Sequence, residues 1–294
     1  MVDHTRPIVS VIIPTHNRRE LVPQAVASVL NQDVPGIEII VVDDGSTDGT
    51  EEALSPYFDR IEYLRQDNRG VSSARNLGMN TSRGRFIALL DSDDLWRPGK
   101  IAAQLSFFHR HPHLLICQTQ EIWIRGRVLV NPRPIHRKRA GQIFDISLGA
   151  CMISPSAVMF RRELLSEVGY FDETLPACED YDLWLRVTCR FEVGLVDQAL
   201  IVKHGGHPDQ LSQKWPGLDR YRIKALVKLY KYSPLTVSQQ TLVLQTLAAK
   251  VHIYDQGRRK RGRAEGNEDY LMEARVLLKQ ANDSGRLLRP DEGG

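Results

Sequence analysis

Two periodicities alternate along the first hundred residues of the chain. Four short segments rich in Ile and Val predict β-strands: IVSVII (8–13), IEIIVV (37–42), IEYL (61–64) and FIALL (86–90). The segments between them space their apolar residues as amphipathic helices do: LVPQAVASVLNQ, TDGTEEALSPYF and VSSARNLGMNTS. This alternation predicts an α/β fold, with a mostly parallel sheet that has helices on both faces.

Polar and acidic residues follow three of these predicted strands. PTHNR (14–18) comes after the first strand, DDGS (43–46) after the second and DSDD (91–94) after the fourth. In open parallel sheets, ligands bind outside the carboxyl ends of the strands. The opposite ends of the same strands carry no such acidic clusters. The asymmetry favours a binding site at this edge over ordinary polar loops.

The second part of the chain has a looser pattern between about residues 111 and 160. LLICQTQEIWI and RVLVN predict a hairpin around Gly126, and SAVMF (156–160) predicts a further strand. EDYDLWLRVTCR (179–190) predicts a helix, and FEVGLV and ALIV predict two more strands. Three helical segments follow and predict a small bundle: LDRYRIKALVKLYKY, VSQQTLVLQTLAAKVHIYDQ and NEDYLMEARVLLKQAN.

The composition is that of an ordinary globular protein. The chain has 294 residues, 42% hydrophobic and 26% charged, enough for one large domain with an appendage. A formal net charge of +3 is too small to indicate nucleic acid as a partner. The spacing of the four cysteines favours free thiols over a zinc site. The N-terminus has no signal-peptide pattern, and no window reaches the roughly 18 apolar residues of a membrane helix, so a cytoplasmic location is expected.

Two basic runs have alternative interpretations. RKR (137–139) and RRKRGR (258–263) are expected to be solvated loops, and the second is favoured as a linker. RRKRGR could instead reach an anionic surface as a peripheral contact at the inner face of a membrane. The helices around it could cover part of a binding site, mediate homo-oligomerisation or reach that membrane surface.

The run LDSDD (90–94) indicates a cation site. Three carboxylates in four positions repel one another, and an apolar strand gains nothing by ending in them. A divalent cation would neutralise them, because hard cations prefer carboxylate oxygens. The alternative is a solvated acidic turn.

Five motifs in order resemble family 2 glycosyltransferases: VSVIIPTHNR, VVDDGSTDGT, NRGVSSARNLGM, LDSDD and GYFDETLPACEDYDLWLR. The resemblance covers about residues 8 to 213. It implies an inverting enzyme with the GT-A fold, a Rossmann-like, mixed and mostly parallel sheet flanked by helices. The expected organisation is a GT-A domain over 1–213, with a nucleotide-sugar half (about 1–110) and an acceptor half (about 111–213). A C-terminal helical region over 214–294 would follow.

The resemblance also implies the residues that would bind the donor. Asp93 would be a ligand of Mn²⁺ or Mg²⁺, with Asp91 near the ribose or a coordinated water and Ser92 between them. Asp44 resembles the Asp that hydrogen-bonds uracil, and Arg75 resembles the basic residue that faces the nucleotide, with a helix-surface arginine as the alternative. The loop that lines the base pocket would be Pro14, Thr15, His16 and Asn17, with His16 either stacked on the base or simply at the surface.

In the second half, the resemblance places the catalytic base at Asp180 of the Glu179-Asp180 motif. An inverting transfer needs a carboxylate that takes the proton of the acceptor hydroxyl. Acidic residues also favour helix N-termini for structural reasons, and Asp182, one turn before Arg186, fits that explanation better. A third metal ligand would be a histidine of KHGGHPDQLS, with His207 favoured over His204.

The predicted partners are a nucleotide-sugar, with UDP preferred and GDP and dTDP left open, and a glycan or lipid-linked acceptor in cell-surface polysaccharide assembly. A dinucleotide dehydrogenase is disfavoured, because no GxGxxG follows the first strand. A sugar-nucleotide pyrophosphorylase is disfavoured because PTHNR contains no glycine. A non-catalytic nucleotide-sugar-binding or scaffold protein of the same fold is the alternative function.

Overall fold

One mixed sheet organises the chain. The computed structural model describes residues 6–126, 128–130, 137–206, 217–262 and 268–285. The strands within these ranges are β1 (Val9–Thr15), β2 (Ile37–Asp43), β3 (Glu62–Arg65), β4 (Phe86–Leu89), β5 (Leu95–Trp96), β6 (Ile116–Arg125), β7 (Val128–Val130), β8 (Val158–Arg161) and β9 (Gly194–Gly205).

The order across the sheet is β3-β2-β1-β4-β8-β6-β9-β5, with β7 paired to β6. Strands β3, β2, β1 and β4 run parallel to one another. Strand β8 is antiparallel to both β4 and β6, and β6 is parallel to β9. The α/β class and the mixed, mostly parallel sheet predicted for a GT-A fold are confirmed. The hairpin of β6 and β7 around Gly126 is confirmed as well.

The helices in the described residues are α1 (Val22–Leu30), α2 (Thr50–Leu54), α3 (Val71–Thr81), α4 (Lys100–Arg110), α5 (Phe144–Gly149), α6 (Glu163–Val168), α7 (Glu179–Thr188), α8 (Asp219–Tyr232), α9 (Val237–Lys260) and α10 (Asp269–Asp283). None of these helices has the length and apolar character that a membrane crossing requires.

The core lies on both faces of the sheet because its central strand is buried on both. Val9, Val11 and Ile13 of β1 pack into one apolar cluster with α1 and α4, and Ile12 packs into another cluster on the opposite face. A parallel strand that is covered on both sides needs an almost continuous apolar sequence, as β1 has. This burial fixes the strand ends from which the polar loops project.

The last three helices pack against α5 and α7. A third apolar cluster joins Tyr181 and Leu185 of α7 to residues of α8, α9 and α10. At its edge, Lys228 of α8 forms ion pairs with Asp172 at 2.8 Å and with Asp182 at 3.1 Å. The C-terminal helices therefore rest on the element whose first turn carries Asp180.

Two predictions differ from the structure. FEVGLV and ALIV belong largely to one strand, β9, whose pairing with β6 shifts in register between Thr119 and Glu121. The irregularity breaks the apolar pattern without ending the strand. Helix α4 has no counterpart among the predicted elements, because Lys100 and Gln104 occupy core positions at 0% exposure and mask its apolar face.

Candidate active site

The carboxyl ends of β1, β2 and β4 open into a cleft of about 1130 Å³ that extends toward α7 and β9. Every predicted site residue except His207 lines this cleft: Pro14, Thr15, His16, Asn17, Asp44, Arg75, Asp91, Ser92, Asp93 and Asp180. His207 lies outside the described residues. The structure thus brings together residues from strands that are far apart in sequence.

Asp44 is held rigidly at one end of the cleft. Its Oδ1 accepts hydrogen bonds from the backbone N–H of Arg69 and from Gln66 Nε2, at 2.8 and 2.7 Å. Its Oδ2 accepts one from the N–H of Gly70 at 2.8 Å. Gly70 has a φ of 93°, which a side chain would disfavour, so glycine here lets the loop turn back onto the carboxylate.

The loop after β1 is tied to the loop after β2. Nδ1 of the exposed His16 lies 2.9 Å from the carbonyl oxygen of Asp44, and the Asn17 and Asn68 amides approach its Nε2 at 3.1 Å. The Asn17 side chain accepts from the N–H of Thr47 at 2.8 Å. Contacts at the edge of the imidazole fix the plane of the ring and leave its faces clear of these partners. A base could stack there.

The three acids of LDSDD have different surroundings. Asp91 is paired with Arg75 at 2.7 Å. Asp94 is buried, accepting from Ser156 Oγ at 2.6 Å and from the N–H of His204 at 3.2 Å. Burial raises the pKa of Asp94 to about 8, with Lys203 opposing the rise and Asp91 and Asp93 adding to it.

Of these three acids, Asp93 is the one with no partner in the ranges that the structure describes. Among the described residues, no other residue donates a hydrogen bond to its carboxylate or pairs with it within 4.0 Å. Burial, followed by the charge of Asp91, raises the pKa of Asp93. A carboxylate in this state gains from a cation. The main-chain oxygen of Asp93 lies 3.2 Å from Nδ1 of His204.

Arg75 joins the two halves of the cleft. It is 4% exposed, so the surface alternative for this residue is wrong. One terminal nitrogen donates to Asp91 at 2.7 Å and the other to Glu179 at 2.8 Å. Burial would lower its pKa, but the two carboxylates raise it, so the guanidinium stays charged. The acids after β4 and the first turn of α7 are therefore fixed relative to each other through one side chain.

Asp180 lies in the first turn of α7, where the chain enters the helix through Cys178 with a φ of 61°. Its Oδ1 accepts from the N–H of Tyr181 at 2.7 Å, and its Oδ2 lies 3.4 Å from the Cys151 sulfur. Both contacts are neutral donors, so no cation bonds directly to this carboxylate among the described residues. Asp182, by contrast, is 2% exposed and pairs with Arg186 at 2.7 Å, as its spacing predicted.

Several charged residues of the cleft were not predicted. Glu121 of β6 pairs with Lys138 at 3.3 Å and accepts from Ser154 and from Trp123 Nε1. Burial would raise the pKa of Glu121, but Lys138, Lys203 and these hydrogen bonds lower it to about 2. These residues lie within β6 and the loops of the loosely patterned region, where no motif marks them.

Lys203 of β9 also lines the cleft. Within the described ranges its ammonium group makes neither a hydrogen bond nor an ion pair shorter than 4.0 Å. Burial would lower its pKa, but the carboxylates of Asp94 and Glu121, followed by Asp91 and Asp180, raise it. The acids of the cleft therefore have a cation of the protein close by, in addition to Arg75.

Asp93 suits a hard divalent ion, because within the described residues its half-buried carboxylate has no partner and lies in an acidic cleft. Across the residues that the structure describes, no three ligating side chains are grouped closely enough to hold a metal ion by themselves. Mg²⁺ and similar ions are often held by one or two carboxylates together with substrate phosphates. The donor set fits an ion that binds with a diphosphate, and the choice between His204 and His207 as a further ligand stays open.

Comparisons with other proteins agree with this architecture. Residues 10–169 match the model of the family described as Glycosyl transferase family 2. An uncharacterized glycosyltransferase of Rickettsia bellii is 33% identical over 218 residues, which cover 71% of this chain and 31% of that protein. The putative teichuronic acid biosynthesis glycosyltransferase TuaG of Bacillus subtilis is 45% identical over 107 residues, 35% of this chain and 42% of TuaG. The chain therefore spans less than half the length of either relative.

Two solved structures share the fold. S. aureus TarS, residues 1–349, superimposes with a TM-score of 0.69 at 18% identity, over 95% of this chain and 82% of that one. TarS has also been solved in complex with UDP and with UDP-GlcNAc. The mannosyltransferase PcManGT of Pyrobaculum calidifontis, in complex with GDP-Man and Mn²⁺, gives a TM-score of 0.57 at 18% identity, over 96% of this chain and 82% of that one. With the family match over most of the sheet and the similarity to the Rickettsia protein, the chain belongs to glycosyl transferase family 2.

Proposed function

We propose that the protein is an inverting, metal-dependent glycosyltransferase that moves a sugar from a UDP-sugar to an acceptor hydroxyl in the assembly of a cell-surface polysaccharide. The observation that carries the proposal is the position of Arg75, which connects the acids after β4 to the motif that contains Asp180. A donor bound at the strand ends would thus lie beside a carboxylate able to accept a proton.

The donor would lie with its base near Asp44 and its diphosphate near Asp91, Ser92 and Asp93. The hydrogen bonds that fix Asp44 orient its carboxylate before a base arrives, which reduces the entropy lost on binding. His16 is available to stack on the base. The UDP-GlcNAc complex of TarS supports uridine, and the GDP-Man complex of PcManGT keeps guanosine as the competing nucleotide.

Mn²⁺ or Mg²⁺ would be held by Asp93, by the diphosphate and by a histidine, His207 or His204. When bound, the ion supplies a Lewis acid that offsets the charge of the departing diphosphate. The protein contributes the remaining electrostatics. Arg75 neutralises Asp91 and Glu179, and Lys203 supplies positive charge near Asp94.

The transfer would be a single displacement. The acceptor oxygen forms a bond to the anomeric carbon while the bond from that carbon to the diphosphate oxygen breaks, and the hydroxyl proton passes to the Asp180 carboxylate. The N–H of Tyr181 and the Cys151 thiol, both neutral donors, orient the Asp180 carboxylate. Attack from the face opposite the diphosphate inverts the anomeric configuration.

The polysaccharide role is supported by TuaG, whose name places it in teichuronic acid biosynthesis. The acceptor would enter between α7, β6 and the segment from Gly149 to Pro155, all of which line the cleft. The first 213 residues would form the catalytic domain, and the C-terminal helices would support its acceptor side.

The test is a panel of UDP-, GDP- and dTDP-sugars with Mn²⁺, measuring nucleoside diphosphate release and the melting temperature. We expect one UDP-sugar to raise the melting temperature and to be turned over, with chelation of the ion abolishing both effects. Asp93→Asn should weaken the ion dependence. If no nucleotide-sugar stabilises the protein, a non-catalytic scaffold of the same fold becomes the better interpretation.

Asp180→Asn tests the base separately from donor binding. It should reduce transfer by at least about 10²-fold while leaving the donor-induced rise in melting temperature intact. Asp145→Asn is the matched control, because Asp145 is an exposed carboxylate in the first turn of α5 and does not line the cleft. Full transfer by a folded Asp180→Asn variant would show that another group takes the proton.

A further inference from the structure

The C-terminal helical region contributes one side chain to the cleft. Arg222 belongs to the first turn of α8 and lines the cleft together with Asp180 and Cys151. Its guanidinium carbon lies 5.9 Å from the centre of the Tyr181 ring, the residue directly after Asp180. The Arg222 side chain is 29% exposed, so a ligand can reach it.

Arg222 keeps unused hydrogen-bonding capacity. Its ion-pair partner among the described residues is Asp219, at a long 3.6 Å. The same Asp219 oxygen pairs with Lys250 at 3.1 Å, so one carboxylate serves two cations. That oxygen makes no hydrogen bond with either of them. A guanidinium has five N–H donors in a planar fork, and this contact leaves most of them available.

Two other cations of the cleft, Arg75 and Lys138, are more fully engaged. Arg75 donates to two carboxylates at 2.7 and 2.8 Å, and Lys138 pairs with the almost fully buried Glu121. Lys203 is surrounded by the acids of the strand ends. Arg222, whose one carboxylate partner lies at 3.6 Å, is therefore less engaged by carboxylates than Arg75 and Lys138.

We propose that Arg222 is a specificity-determining residue that binds an anionic group, a carboxylate or a phosphate, on the acceptor. The inference rests on the proposed function and names the class of acceptor for the same site. Guanidinium matches both anions through two parallel N–H···O bonds, which an ammonium group cannot reproduce. A neutral acceptor would leave the guanidinium without this partner. The C-terminal helices would then belong to the substrate site as well as to the scaffold.

The experiment measures binding of three small probes to the full chain in the presence of UDP and Mn²⁺, by NMR titration. Methyl β-D-glucuronoside carries the carboxylate, glycerol 3-phosphate carries the phosphate, and methyl β-D-glucoside is the neutral control. We expect at least one anionic probe to bind about tenfold more tightly than the neutral one, as a charge-assisted hydrogen bond allows. The anion that binds more tightly identifies the source of the charge.

Arg222→Gln should abolish this discrimination, and Arg222→Lys should restore only part of it. Lys224→Gln is the matched control, since Lys224 lies on the same helix but donates to Thr174 outside the cleft, and it should behave as the wild type. Equal binding of charged and neutral probes, including no detectable binding of either, would overturn the proposal. So would an Arg222→Gln variant that keeps the preference for the anion.

Donor binding in the same samples separates the two proposals. The donor-induced rise in melting temperature should be the same in Arg222→Gln and in the wild type. A protein that binds a UDP-sugar but does not discriminate between the probes refutes only the role of Arg222. A protein that binds no nucleotide-sugar refutes the proposed function itself.

Discussion

Replacing Lys100 with Met should make the protein more stable at pH 6 and less stable at pH 10. Lys100 lies in the first turn of α4 at 0% exposure. Its Nζ donates to Gln104 Oε1 at 2.7 Å and lies 3.9 Å from the centre of the Trp96 ring. No carboxylate among the described residues pairs with it, and burial lowers its pKa from 10.5 to about 7.

The direction of the pH effect follows from where the proton is bound. Between pH 7 and 10.5 the unfolded chain keeps the Lys100 proton and the folded protein has released it, so stability rises with pH. The stability gained from release of the Lys100 proton is fully present above pH 10.5 and is lost as the pH falls through 7. The interval between the two pKa values corresponds to about 5 kcal/mol, at 1.36 kcal/mol per pH unit.

The Met variant avoids this cost but loses two contacts. Without a donor, the buried Gln104 Oε1 costs about 1–3 kcal/mol. Loss of the contact with Trp96 costs about 1–2 kcal/mol. Met has a similar volume, so the packing term is small. At pH 6 these terms leave a net gain of up to about 3 kcal/mol. At pH 10 Lys100 is mostly neutral in the folded state and has no cation–π attraction to lose, so the unpaired Gln104 Oε1 should make the variant less stable.

Urea unfolding of both proteins at pH 6, 8 and 10 gives the comparison, and the free energy of unfolding is the quantity to report. Lys279→Met is the matched control, because Lys279 is an exposed lysine of α10, and its effect should not change with pH. A difference between Lys100→Met and wild type that stays constant from pH 6 to pH 10 would refute the reasoning.

Two further predictions concern packing and acid stability. Gly194→Ala should destabilise the protein by about 1–3 kcal/mol, because the new Cβ would overlap the Phe107 ring and lie 3.1 Å from the Cys117 Cβ; an unchanged calorimetric melting temperature would contradict this. Burial would raise the pKa of Asp172, but the hydrogen bonds from Lys228 and Thr174, together with the charge of Lys228, lower it to about 2. The contribution of Asp172 to stability is therefore present above pH 3.8 and is lost as the pH falls toward 2. Because the pair is partly exposed, its contribution to stability is worth about 1 kcal/mol. The difference in urea midpoint between Asp172→Asn and wild type should therefore be smaller at pH 3 than at pH 5. An equal difference at both pH values would argue against it.

The parallel half of the sheet could be predicted because its strands are buried on both faces. A strand such as β1 must be apolar at nearly every position, and the four predicted segments overlap β1, β2, β3 and β4. Helix α4 could not be predicted, because two of its core positions are polar and satisfy each other through the hydrogen bond from Lys100 to Gln104. Local periodicity does not reveal that a buried polar pair replaces an apolar one.

In the cleft, too, some residues could be predicted from local sequence and others depend on the tertiary fold. Residues that directly follow a strand, such as Asp44 and Asp93, could be placed from the sequence because topology alone brings strand ends together. Glu121 and Lys203 lie inside strands, and their approach to the acids depends on the pairing of β6 with β9, whose register shifts at an irregularity. Register between strands that are about 80 residues apart in the chain is set by the whole fold, so no local pattern could show it.

The structure also explains why three acids can end an apolar strand. Asp91 is balanced by Arg75, and Asp94 is held by two hydrogen bonds near the charge of Lys203, so neither requires an ion. Of the three acids, Asp93 alone has a carboxylate with no hydrogen bond or ion pair to another residue within the part of the chain that the structure describes. A single free carboxylate binds a divalent ion weakly on its own and more tightly when phosphate oxygens complete the coordination. The arrangement therefore favours an ion that enters and leaves with the diphosphate over one that stays bound to the empty cleft.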